Sequence, residues 1–146
     1  MKIKLQENSN QKELEIFIKC SRIDKKVKCI VSLVKSVDNT IKCSSNNQEF
    51  WIDASRIYYI ESVDKKTFVY CEKSVYRTEF RLYQLMEQLS SSDFVQINKS
   101  CILNMNMLES ILPLINSRLE ATLINGERLC VTRRYLQDIK SKLQER

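Results

Sequence analysis

Ile57-Tyr58-Tyr59-Ile60-Glu61-Ser62, Thr67-Phe68-Val69-Tyr70-Cys71 and Val75-Tyr76-Arg77-Thr78-Glu79-Phe80 follow one another with only short polar breaks. All three runs are rich in β-branched and aromatic residues, and Asp64-Lys65-Lys66 and Glu72-Lys73-Ser74 serve as turns, so the stretch predicts an antiparallel meander. Working toward the C-terminus, Leu82, Leu85, Met86 and Leu89 repeat at helical spacing, and Ser90-Ser91-Ser92-Asp93 ends that short covering helix. Phe94-Val95-Gln96-Ile97 is a further strand, followed by a polar Asn98-Lys99-Ser100 and a compact apolar turn Cys101-Ile102-Leu103. Arg118 to Ile124 and Arg128 to Val131 flank Asn125-Gly126, a pair suited to the two positive φ angles of a type I′ hairpin turn. Thr132 then stands as N-cap of a terminal helix carrying Leu136, Ile139 and Leu143, with Lys140, Lys142 and Arg146 near its C-terminal end.

Working toward the N-terminus, Ser44-Ser45-Asn46-Asn47-Gln48 is a short polar boundary, which divides the chain into residues 1–45 and 46–146. The smaller part holds ten basic and five acidic residues, so it carries most of the net charge of +6. Leu14, Ile16, Ile18 and Cys20 alternate as one face of a strand, after a shorter candidate at Ile3 and Leu5. Val27, Ile30, Val31 and Val34 form the apolar stripe of a helix from about Asp24 to Lys35, with Asp24 at its N-terminus. That stripe is a candidate dimerisation element. Dimerisation is the favoured reading; packed on the β-domain instead, the region is only a structural cap, and the charge excess around it suits DNA phosphate or plain solubility.

Composition excludes much chemistry. The 146 residues include one Gly and no His, which removes phosphate-binding and dinucleotide-binding glycine loops, Ser-His-Asp triads and histidine metal sites. Six cysteines occur without a C-x-x-C pair and read as buried thiols in a reducing, cytoplasmic protein. No signal peptide is evident, and the longest uncharged run, Ser100 to Leu108, falls far short of the about 20 residues of a membrane span. The carboxylates Glu120 and Glu127 are interleaved with Arg118 and Arg128 in the manner of cross-strand ion pairs. The sequence therefore predicts no enzyme, no metal and no cofactor.

Basic residues fall where strands end: Lys65, Lys66 and Thr67; Asn98, Lys99 and Ser100; Thr132, Arg133 and Arg134. Lys and Arg on loops can neutralise phosphates, Arg can bond bidentately to guanine, and Ser100 and Thr132 add short donors. Tyr58, Tyr59, Tyr70 and Tyr76 leave open a stacking platform for single-stranded RNA, although period-two aromatics more often pack a core. A third reading is a protein-interaction adaptor whose basic loops dock an acidic partner.

Three separated motifs, Ile57 to Ser62, Phe94 to Asn104 and Val131-Thr132-Arg133-Arg134-Tyr135-Leu136, resemble the LytTR DNA-binding domain of bacterial transcription regulators. The resemblance covers roughly residues 46–144 and implies a mainly β (α+β) fold, an elongated antiparallel β-sandwich with short covering helices. It implies a sequence-specific regulator that reads double-stranded DNA through loops in successive major grooves, with no small-molecule substrate. Lys99 and Arg134 then read bases, Thr67 aligns with a third base-contacting site, and Lys65, Lys66, Ser100, Thr132 and Arg133 hold the backbone. The 45 residues in front are too few for a receiver domain. The chain resembles the standalone, response-regulator-like subgroup, which implies a homodimer on promoter repeats and restraint by a small membrane partner protein.

Overall fold

A computed structural model describes residues 1–37, 39–89 and 93–144. Ten strands form two antiparallel sheets. The larger contains β1 (Thr40–Ser45), β2 (Gln48–Asp53), β3 (Tyr59–Val63), β4 (Lys66–Tyr70), β5 (Val75–Thr78), β6 (Phe94–Asn98) and β7 (Cys101–Asn104), in the order β2-β1-β5-β4-β3-β7-β6. The smaller contains β8 (Leu108–Leu114), β9 (Arg118–Leu123) and β10 (Arg128–Val131), in the order β10-β9-β8. The helices are α1 (Lys25–Val37), α2 (Leu82–Gln88) and α3 (Leu136–Gln144).

Period-two alternation gives the larger sheet a core on each face. Tyr59, Cys101 and Leu103 face one way and pack with Leu119, Ala121, Leu123 and Val131 of the small sheet and with Ile139 of α3. Ile60 and Ile102 face the other way and pack with Leu85 and Leu89 at α2. All four residues of β7 are consequently buried. Cys101-Ile102-Leu103, expected as a turn, forms the first three residues of this strand, because the chain reverses one step earlier at Lys99-Ser100. Asn104 closes the motif: its Nδ2 donates to the Ile57 carbonyl at 2.8 Å and its Oδ1 accepts from Asn106 N at 3.0 Å.

The meander, the covering helix and the final hairpin lie where the sequence places them. Of the residues expected to end α2, Ser90, Ser91 and Ser92 lie outside the described residues, as does Arg146 beyond α3. The Asn125-Gly126 turn differs in kind: only Gly126 has a positive φ, at 90°, and its N–H donates to the Leu123 carbonyl at 2.9 Å. The hairpin loop is thus one residue longer than a type I′ turn, with glycine in its left-handed position. Paired positive φ angles occur instead at Asn46-Asn47, Asp64-Lys65 and Asn116-Ser117.

The N-terminal region departs most from expectation. Residues 11–20 form no strand; Leu14 is 85% and Phe17 is 77% exposed. A strand needs a hydrogen-bonded neighbour, and none of the sheet edges pairs with this segment within the chain. Helix α1 does form, capped by Asp24, whose Oδ1 accepts from Val27 N at 3.0 Å. It lies against the 3-10 turn Ala54–Arg56, with Val27, Ile30, Val31 and Val34 half-buried. The polar segment around Asn46-Asn47 is the turn of the β1–β2 hairpin, so the larger sheet takes in residues 40–45. Three of the six cysteines are buried as expected, Cys29 is half-buried, and Cys20 and Cys130 are exposed.

Candidate nucleic-acid interface

The β3–β4 turn places Asp64 at φ 51° and Lys65 at φ 65°. Two left-handed residues match the twist of the flanking strands, but each side chain there costs about 1 kcal/mol. Arg81, just before α2, holds this turn by donating from Nη1 to the Lys65 carbonyl at 2.7 Å. Lys65 and Lys66 are exposed, whereas Thr67 is only 2% exposed. Lys66 lies opposite Val63 and Thr67 opposite Ser62, so alternation turns Thr67 inward. Thr67 is therefore buried in this conformation, while Lys65 and Lys66 present the exposed side chains of the turn.

The β6–β7 turn is built by its own side chains. Asn98 Oδ1 accepts from Ser100 N at 2.9 Å and from Ser100 Oγ at 3.0 Å, while Asn98 Nδ2 donates to the Cys130 carbonyl of β10 at 2.9 Å. A hydroxyl has one proton to give, so Ser100 Oγ has spent its donor inside the turn rather than holding it ready for phosphate. Lys99 alone projects from the tip, exposed.

At the third cluster, Thr132 N donates to the Ile97 carbonyl of β6 at 3.0 Å. Thr132 occupies the N-cap position of a short 3-10 turn, Arg133–Tyr135, that leads into α3, but its side chain makes no capping bond. Arg133 and Arg134 are exposed on that turn.

These bonds bring the clusters to one end of the molecule. Ser62 N donates to the Ser100 carbonyl at 2.7 Å, so β3 runs out toward Asp64-Lys65 beside the strand that begins after Lys99-Ser100. At ordinary strand spacing the two turns stand about 10 Å apart. Asn98 and Thr132 then fasten the Arg133-Arg134 turn to the far side of β6. Lys65, Lys66, Lys99, Arg133 and Arg134 make no ion pair among the described residues. Ion pairs elsewhere include Lys42 with Glu49 at 3.4 Å and Arg128 with Glu120 at 3.9 Å. Arg81 and the Cys130 carbonyl carry no motif in the sequence; only the folded contacts reveal them.

The other chemistry read from the sequence has less to work with. Tyr58 and Tyr59 are buried, Tyr70 stacks on Tyr59 with ring centroids 4.3 Å apart, and Tyr76 packs on Phe50 at 5.2 Å, so these rings do not form an open stacking platform. Burial pushes the Cys101 and Cys43 thiols up to about 12, away from thiolate reactivity. Among the described residues no cluster of metal-ligating side chains occurs and no helix is long and apolar enough to cross a membrane.

Fold and charge together define a mainly β binding module with cations on the loops at one end. A family model, the LytTr DNA-binding domain, matches residues 47–144, and the chain belongs to the LytTR family, which is non-enzymatic. It is 28% identical over 87 residues to Sensory transduction protein LytT of Enterococcus faecalis, covering 60% of this chain and 36% of that protein. The protein of the same name in Bacillus anthracis is 28% identical over 93 residues, covering 64% of this chain and 38% of the relative. The matched part thus spans little more than a third of these relatives. A solved LytTr DNA-binding domain of a methyl-accepting/DNA response regulator from Bacillus cereus shares the fold, with a TM-score of 0.68 and 24% identity, covering 73% of this chain and 97% of that one.

Proposed function

We propose that the chain is a transcription regulator that binds double-stranded DNA in a sequence-specific way through the loops at its cationic end. Lys99 and Arg134 contact base edges in the major groove, with successive grooves engaged by different loops. Lys65, Lys66 and Arg133 neutralise phosphates, while Asn98, Ser100 and Thr132 set the positions of the loops. The single observation that supports this most is the convergence of five exposed cations, none ion-paired among the described residues, on turns fixed to one another by hydrogen bonds.

The regulator acts in the cytoplasm as a homodimer on repeated promoter half-sites, and a small membrane protein restrains it. A mobility-shift titration on the DNA upstream of its own gene tests the central reading. Specific duplex should compete far better than random duplex, and affinity should fall steeply as salt rises. Equal competition by random duplex at moderate salt defeats it. The adaptor reading would then take its place if an acidic protein surface bound and duplex did not.

A further inference from the structure

We infer that residues 14–20 of one chain add as an antiparallel strand to the open edge of β8 in a second copy, reciprocally in a two-fold dimer. The inference deepens the dimeric reading above by naming its interface.

Both halves of the contact are present and unsatisfied in the single chain. Residues 14–20 carry a strand pattern without a strand partner, and Leu14, Ile16 and Phe17 are exposed. Strand β8 pairs with β9 on one side only, and six of its seven residues are exposed. Ile111, Leu112, Pro113 and Leu114 make that edge apolar, with Leu112 57% exposed and Ile115 continuing the run into the turn. An exposed apolar edge strand is a template for another chain. Of the devices that blunt such edges, the charge and the bulge of β8 sit at its start around Glu109 and its proline removes one donor, which leaves Ile111, Leu112 and Leu114 exposed along the edge.

Charge selects the register. With Leu14 opposite Leu114, an antiparallel strand sets Ile16 against Leu112 and Phe17 against Ile111, and brings Lys19 to the bulge between Leu108 and Ser110 that carries Glu109, so apolar meets apolar and cation lies beside anion. A parallel strand starting with Leu14 at Leu108 opposes Glu15 to Glu109. The other open edge of comparable length, β2, is less suitable: the register that sets Ile16 and Ile18 against Ile52 and Phe50 opposes Glu15 to Asp53.

Pro113 is compatible with this strand order. It has no N–H, so its pairing with Leu119 is of the non-hydrogen-bonded kind, and the polar backbone groups of its neighbour-but-one Ile111 face the open side. The Pro113 carbonyl faces the same way and remains an acceptor; one donor is lost. Exchange of the same segment in both directions closes the assembly at two copies.

Sedimentation equilibrium on the full chain under reducing conditions, without DNA, tests the interface apart from DNA binding. Wild type should be a dimer and Leu112→Lys a monomer. Lys19→Glu and Glu109→Lys should each weaken the dimer by about threefold to tenfold, and the double variant should restore it. A monomeric wild type, a dimer indifferent to Leu112→Lys, or charge variants not rescued in combination each overturns the inference. A specific mobility shift by a monomer would leave the DNA reading intact; a stable dimer without specific DNA binding would overturn only that reading.

Discussion

Asn98 Nδ2 donates to the Cys130 carbonyl at 2.9 Å, bonding the last residue of β6 in the larger sheet to β10 in the smaller one. The same amide organises the Lys99-Ser100 turn through its oxygen. One side chain therefore fixes the shape of one basic loop and its distance from the next. Asparagine suits this because it offers an acceptor and a donor from one planar group.

Asn98→Ala should accordingly damage specificity more than raw affinity. The cations remain, so non-specific attraction to duplex persists, while the spacing of Lys99 and Arg134 relaxes. Loss of these bonds should also cost about 1–3 kcal/mol of stability, read in a urea melt. Asn98→Asp retains the acceptor and removes the donor to Cys130. If it binds with wild-type specificity, the inter-sheet bond is dispensable.

Lys99→Ala and Arg134→Ala should each cost about 1–3 kcal/mol at particular base pairs and relax the preference there. Lys65→Ala should instead weaken all sequences alike and reduce the slope of log affinity against log salt by about 1. Thr67→Val tests the buried position: with the side chain only 2% exposed, affinity and sequence preference should stay unchanged, and a changed preference would place Thr67 among the base contacts. Competition titrations at several salt concentrations separate these three behaviours.

What the sequence reveals follows from locality. The meander at residues 57–80 and the amphipathic helices announce themselves because their signals lie within one element. The edge strand β8 escapes notice because Ile111 to Leu114 is an unbroken apolar run with a proline in it rather than an alternating pattern, and residues 14–20 show a strand pattern although they form no strand in the single chain. For the site, Lys65, Lys99, Arg133 and Arg134 are legible as basic residues at strand ends. Their convergence is not, since it depends on Asn98, Thr132 and Ser62 bonding to residues distant in sequence or strand order. The burial of Thr67 is not legible either, because position in a motif does not say which face of the strand a residue occupies.

Lys65 offers a case in which stability and binding move in opposite directions. Its φ of 65° burdens a side chain that glycine would not carry. Lys65→Gly should stabilise the fold by up to about 1 kcal/mol while removing a phosphate contact. A raised melting temperature with weakened binding to every duplex is the expected result. A lowered melting temperature would show that the lysine stem contributes more packing than the turn's strain takes away.

Thiol accessibility gives a final check on the two-faced sheet. Cys20 and Cys130 are exposed and should react with a maleimide in the native protein, while Cys43, Cys71 and Cys101 should react only after unfolding. Burial, reinforced by Glu61, raises the Cys101 thiol from 9.0 to about 12, so the folded state favours the neutral thiol. Its stabilising effect is fully present below the unfolded value near 9 and is lost as pH rises from there toward 12, because only the unfolded chain gains a thiolate over that interval. Urea melts across this range, compared between wild type and Cys101→Ala, should show a steeper alkaline loss in wild type, bounded by about 1.4 kcal/mol per pH unit. Rapid native labelling of Cys101, or identical alkaline slopes in the two proteins, would mean that β7 is not sealed between the two cores.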